Sequence, residues 1–91
     1  MSTLDAVLDR IDQDLEKSVE RLFAFLRIAS VSTDPAYKTQ CLAAAEFVAT
    51  DLKSIGFDAS IRPTAGHPIV VGKSNGVSGP RVLFYGHYDV Q

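Results

Sequence analysis

The sequence predicts an α/β fold with its elements in the order α-α-β-β-β. Three observations point to it. Apolar residues recur at helical spacing through the first half of the chain, the period falls to two at Phe57, and a continuous apolar run, Val82-Leu83-Phe84-Tyr85, comes near the end.

Leu4, Val7, Leu8, Ile11, Leu15, Val19, Leu22 and Leu26 step by three and four, which lines one face of a helix. Ser2, with Asp5 three residues on, has the form of a capping box. The spacing allows this helix to run to about Ile28 or to break near Ser18. Its stripe suits packing on its own domain, with a coiled-coil or partner-helix role as the alternative. Ala29-Ser30-Val31-Ser32-Thr33-Asp34-Pro35 is a polar connection. Asp34 can cap a new helix with Pro35 at its first position, where a missing N–H costs nothing. Leu42, Ala45, Val48, Ala49, Leu52 and Ile55 supply that helix with an apolar face, and Gly56 stands where a left-handed C-terminal cap belongs.

Phe57, Ala59 and Ile61 then alternate with Asp58, Ser60 and Arg62, which predicts a strand with one buried face. Pro63 ends it, residues 64–68 make a turn, and Ile69-Val70-Val71-Gly72-Lys73 is a second strand. Residues 74–80 are rich in turn formers. Val82–Tyr85 has no alternation, the mark of a strand buried on both faces. Such a strand needs pairing on both edges, and two helices and two strands supply only part of its cover. The sequence therefore reads as incomplete.

Composition narrows the function. Of 91 residues, 46% are apolar and 22% charged, ordinary values for a globular protein. A chain this long buries roughly 60–70% of its unfolded surface. With a net charge of −2 and no Lys/Arg stripe, it lacks the means to neutralise phosphates, so no nucleic-acid partner is expected. No segment approaches the ~20 apolar residues of a membrane span, and no secretory signal opens the chain, so no membrane partner is expected either. Cys41 is the single cysteine, which rules out an internal disulfide and suits a reducing, cytoplasmic setting. Within a helical pattern, it reads as a small buried hydrophobe rather than a reactive thiol.

Two motifs fail on inspection. Gly72-Lys73-Ser74 resembles the end of a phosphate-binding loop, but His67 stands where that loop needs glycine. Gly76-Val77-Ser78-Gly79-Pro80 resembles a nucleophile elbow, but Pro80 replaces its second glycine. What remains is Gly86-His87-Tyr88-Asp89-Val90-Gln91. In open α/β sheets ligands gather at the carboxyl ends of strands, where His87 would emerge. A neutral imidazole is a good zinc ligand. A carboxylate two residues on can accept from the other ring nitrogen and fix the tautomer. Spacing alone leaves two readings open, a metal site and a satisfied structural histidine.

The stretch Val82-Leu83-Phe84-Tyr85-Gly86-His87-Tyr88-Asp89-Val90-Gln91 resembles the first signature of M20 metallopeptidases, nearest to their dipeptidase and carnosinase-like branch. Ile28-Ala29-Ser30-Val31-Ser32 is similar to the loop after that family's first helix, although many members carry proline at the Ala29 position. Leu52-Lys53-Ser54-Ile55-Gly56-Phe57 resembles its helix exit, and Gly66-His67-Pro68-Ile69-Val70 its second strand. The resemblance implies that residues 1–91 are the N-terminal segment of an aminopeptidase-like catalytic domain. It implies a site for two zinc ions, with manganese or cobalt able to substitute, and a homodimer built through a smaller inserted domain. His87 would be a metal ligand, and Asp89 the catalytic carboxylate that supports it. His67, in a turn, has no role in the family. The implied reaction is hydrolysis of a dipeptide or similar small amide, with N-acyl amino acid deacylation or desuccinylation, or a non-catalytic fragment, as alternatives. The general base and the other ligands would lie beyond Gln91, so these residues alone are expected to be inactive. Their expected partners are a small peptide or amide substrate and the remainder of the catalytic domain.

Overall fold

Ser2 opens the first helix as its spacing from Asp5 predicts. Its hydroxyl accepts from the Asp5 amide at 3.1 Å, and the Asp5 carboxylate accepts from the Ser2 amide at 3.3 Å. The computed structural model describes residues 2–91. Helix α1 spans Thr3–Gln13 and α2 spans Leu15–Leu26. The single periodic stripe is thus two helices, and the break falls at Asp14 rather than near Ser18. Aspartate is a poor helix former and a good cap. Here Arg10, one turn back, takes the Asp14 carboxylate, so the side chain makes no capping bond to α2.

Neither α1 nor α2 has a buried residue, and Leu4, Val7, Leu8, Ile11, Leu15, Val19, Leu22 and Leu26 are all exposed. Packing of this stripe on the chain's own body is therefore not what the structure contains. Phe25, half-buried, makes the main approach of α2 to the rest, its ring 5.4 Å from that of Phe47. Arg21 reaches Asp51 at 3.5 Å across the same groove.

Asp34 caps as expected, accepting from the Ala36 amide at 3.0 Å with Pro35 in the first turn. The turn is a short 3-10 helix, Pro35–Tyr37, which runs into the long helix α3, Lys38–Ser54. The buried side chains of α3 are Cys41, Ala44, Ala45 and Ala49. Of the predicted apolar face, Ala45 and Ala49 are buried and Val48 and Leu52 half-buried, whereas Leu42 and Ile55 at its ends are exposed and Cys41 and Ala44 join it. Small residues win because the sheet lies close. Gly56 follows with φ +91°, the left-handed cap that lets the chain reverse.

Strands β1 (Phe57–Arg62) and β2 (Ile69–Ser74) form an antiparallel hairpin with Phe57 opposite Ser74 and Arg62 opposite Ile69. Ala59, buried, faces Gly72 across the pair. A Cβ on Gly72 would come within 2.8 Å of a Leu52 methyl, so this small pair is where α3 lies on the sheet.

The predicted third strand does not form. Val82–Tyr85 lies in unpaired chain, with Leu83 92% and Phe84 90% exposed. A strand exists only through its neighbour's ladder, and neither hairpin strand pairs with this segment. Positive φ at Gly76 (69°) and Gly79 (121°) turns the intervening loop. Among the described residues, the one pairing outside the hairpin is an isolated parallel bridge between Val31 and Val90. The observed architecture is mixed α/β, with three α-helices and a two-stranded sheet.

Candidate functional site

The loop between α2 and the 3-10 turn receives the end of the chain. The Val90 amide donates to the Ser30 carbonyl at 2.9 Å, and the Ser32 amide donates to the Val90 carbonyl at 2.8 Å. Ser30, buried, adds its hydroxyl to the Tyr88 carbonyl at 3.1 Å. Residues 30–32 and 88–90 thus run side by side, and Asp89 is held between them.

His87 and Asp89 meet as their spacing predicts. The imidazole Nδ1 lies 2.9 Å from Asp89 Oδ1. The second carboxylate oxygen, Oδ2, accepts from the Ser32 hydroxyl at 2.6 Å. The Ser32 hydroxyl, and then the His87 ring, hold the Asp89 carboxyl below its ordinary range against the opposing effect of burial. An ionised Asp89 makes Nδ1 the protonated nitrogen and leaves the Nε2 lone pair available. The Tyr85 hydroxyl sits 3.3 Å from Nε2, and the Tyr85 ring meets the imidazole edge-on. The His87 side chain is 67% accessible and that of Asp89 23%, so the imidazole lies toward the surface and the carboxylate deeper.

Cys41 and Tyr88 lie beneath. Burial first, and then the Asp89 carboxylate, push the Cys41 thiol up from its ordinary value. Burial likewise raises the Tyr88 phenol, whose hydroxyl donates to the Pro68 carbonyl at 2.7 Å. His67 is not beside His87. Its Nε2 lies 2.8 Å from the Ser32 carbonyl, so it braces the loop.

His87 emerges from unpaired chain and not from the end of a buried strand, as its placement in the sequence had implied. Ser30, Ser32 and Tyr88 are the residues the motif alone does not mark. The first two are brought to it only by the fold, across separations of 58 and 57 residues.

The donor set suits a metal in part. A tautomer-fixed imidazole with Nε2 as its acceptor nitrogen is a sound zinc ligand. A catalytic zinc takes about three protein ligands. Among the described residues no group of three or more His, Cys, Asp or Glu stands close enough to hold an ion. His87 therefore fits as one ligand of a site that these residues do not complete.

The curated proteins this chain resembles are metallodipeptidases. They are the Cys-Gly metallodipeptidase DUG1 of Candida albicans, 32% identical over 102 residues, and the Cys-Gly metallodipeptidase dug1 of Schizosaccharomyces pombe, 31% identical over 100 residues. The similarity covers 97% of this chain and 21% of the first relative, and 98% and 21% for the second. The chain thus spans about a fifth of the length of the curated relatives it matches. No protein-family model matches it, and no solved structure does. No helix among the described residues is long and apolar enough to cross a membrane.

Proposed function

We propose that this chain is the N-terminal segment of the catalytic domain of an M20-type metallodipeptidase, and that His87 is one of its metal ligands. One observation carries the reading. The Nδ1 of His87 is tied to Asp89, which leaves Nε2 as the acceptor nitrogen, 3.3 Å from the Tyr85 hydroxyl, within a chain that is similar along nearly its whole length to two metallodipeptidases. The substrate class is a dipeptide or similar small amide. The metal is zinc, as a pair of ions in the complete site, with the other ligands and the general base supplied by residues other than these. A homodimer and a cytoplasmic location belong to the same proposal. The lone buried Cys41 supports the latter.

When bound, the metal supplies Lewis-acid polarisation of the peptide carbonyl and acidification of water. The chain's own residues prepare for it. Asp89 keeps the Nδ1 proton in place, leaves Nε2 as the acceptor nitrogen and raises the basicity of the ring. Ser32 and the backbone of residues 30–32 hold that carboxylate against the body of the fold.

The test compares the complete protein with its His87→Ala and Asp89→Ala variants, by amino-acid release from a dipeptide panel that includes Cys-Gly and by metal content. His87→Ala should lose metal outright. Asp89→Ala should weaken affinity or activity by about 10–100-fold. Full metal occupancy in His87→Ala refutes the ligand assignment. The 91 residues alone should give no turnover with added zinc or manganese.

A further inference from the structure

We propose that Ser32 is the positioning residue of this site: its hydroxyl fixes the Asp89 carboxylate, and through it decides which nitrogen of His87 carries the proton and which accepts. The consequence for metal binding rests on the ligand reading above, whereas the geometry does not.

The Asp89 carboxylate has two oxygens, and each is committed to one partner. Oδ1 takes His87 Nδ1 at 2.9 Å and Oδ2 takes the Ser32 hydroxyl at 2.6 Å. The second distance is that of a charge-assisted O–H···O⁻ bond. With both oxygens held, the carboxylate plane cannot turn, and the imidazole is presented with one fixed acceptor. The same hydroxyl lies 3.2 Å from the Val90 carbonyl, a longer and weaker alternative for its single proton.

Ser32 is itself held by both backbone groups. Its amide donates to Val90 at 2.8 Å, and its carbonyl accepts from His67 Nε2 at 2.8 Å. The loop that carries His67 also accepts from Tyr88 through the Pro68 carbonyl at 2.7 Å. Residues 63–68 therefore brace both halves of the site, Ser32 from one side and the segment bearing His87 from the other.

Ser30 provides the internal comparison. Its hydroxyl donates to the Tyr88 carbonyl and so ties down the same segment. It has no bond to the carboxylate. A role in docking alone predicts equal effects from losing either hydroxyl, whereas positioning predicts an effect from Ser32 only.

The experiment uses the metal-free 91-residue chain at about pH 8, where imidazoles are generally neutral. Long-range proton–nitrogen correlations of the His87 ring report the ratio of Nδ1–H to Nε2–H tautomers. In Ser32→Ala that ratio should fall by about 2–10-fold, the range that one hydrogen bond sets. Ser30→Ala should leave it where it is, and Ser32→Thr, which keeps a hydroxyl, should stay near the parent ratio. An unchanged ratio in Ser32→Ala overturns the proposal, as does an equal shift in Ser30→Ala. If Ser32→Ala fails to fold, Ser32→Thr decides: a parent-like ratio supports the proposal and a collapsed ratio in a folded chain overturns it. Zinc alone, added in competition with a chromophoric chelator, separates the two readings. A ratio that follows Ser32 in a chain that takes no zinc keeps the positioning role and removes the ligand role. Zinc uptake at His87 with a ratio indifferent to Ser32 does the reverse.

Discussion

Val31 and Val90 pair as an isolated parallel bridge, and that bridge carries the last residues of the chain onto the loop behind α2. Val90→Pro deletes the amide that donates to Ser30. One such bond is worth about 0.5–1.5 kcal/mol. Residues 86–91 should detach while α3 and the hairpin stay folded. Amide chemical shifts of both regions check this, and shifts that move throughout the chain would mean the bridge supports the whole fold.

Gly56→Ala places a side chain at φ +91°, in space with no heavy atom within 4 Å. The cost is then purely that of the backbone, about 1–2 kcal/mol. In a chain of this size that corresponds to a fall in Tm of roughly 4–16 °C. A variant that melts with the parent would show that the turn after α3 relaxes freely.

The Cys41 thiol should be inert to thiol reagents at pH 8 until the chain unfolds, because it is fully buried. The folded state raises its pKa, by burial first and the Asp89 carboxylate second. Folding therefore holds the proton more tightly than the open chain does. The resulting stabilisation is complete below the ordinary value of 9.0 and is lost as pH rises through the raised one. Urea midpoints of the parent and Cys41→Ala, compared at neutral pH and above pH 9.0, isolate the effect. A gap between them that does not narrow in the parent's disfavour at high pH contradicts it.

The stripe from Leu4 to Leu26 leaves eight large side chains in water. Contiguous apolar surface of this kind drives association. The 91-residue chain should show an apparent mass that rises with concentration in light scattering, and Leu8→Lys with Leu15→Lys should reduce it. A parent that stays monodisperse across a hundredfold range of concentration would count against this.

Local chemistry was the legible part of the sequence. Ser2 with Asp5, Asp34 with Pro35, and Gly56 each name their own structure, because every partner lies within four residues. The hairpin was legible because its two strands are consecutive in sequence, with Pro63 and a short turn between them. Val82–Tyr85 was not, since a continuous apolar run states what a segment would bury and not what stands beside it. On α3 the spacing identifies Ala45 and Ala49 as inner residues and misses Cys41 and Ala44, which carry little hydrophobic weight. At the site, the spacing of His87 and Asp89 foretold their contact. The Ser32 bond joins residues far apart in sequence and had no local trace.

The order in which the chain organises itself follows from where that last contact lies. Helix α3 and the hairpin are consecutive in sequence and need no long loop to be closed. The docking of residues 88–90 must first restrain the open stretch between Ser74 and Tyr88, at an entropic cost of about 2–3 kcal/mol. A few hydrogen bonds at about 0.5–1.5 kcal/mol each return little more than that. The segment bearing His87 is accordingly the last to assemble and the first to open, and its amides should exchange with solvent long before those of α3.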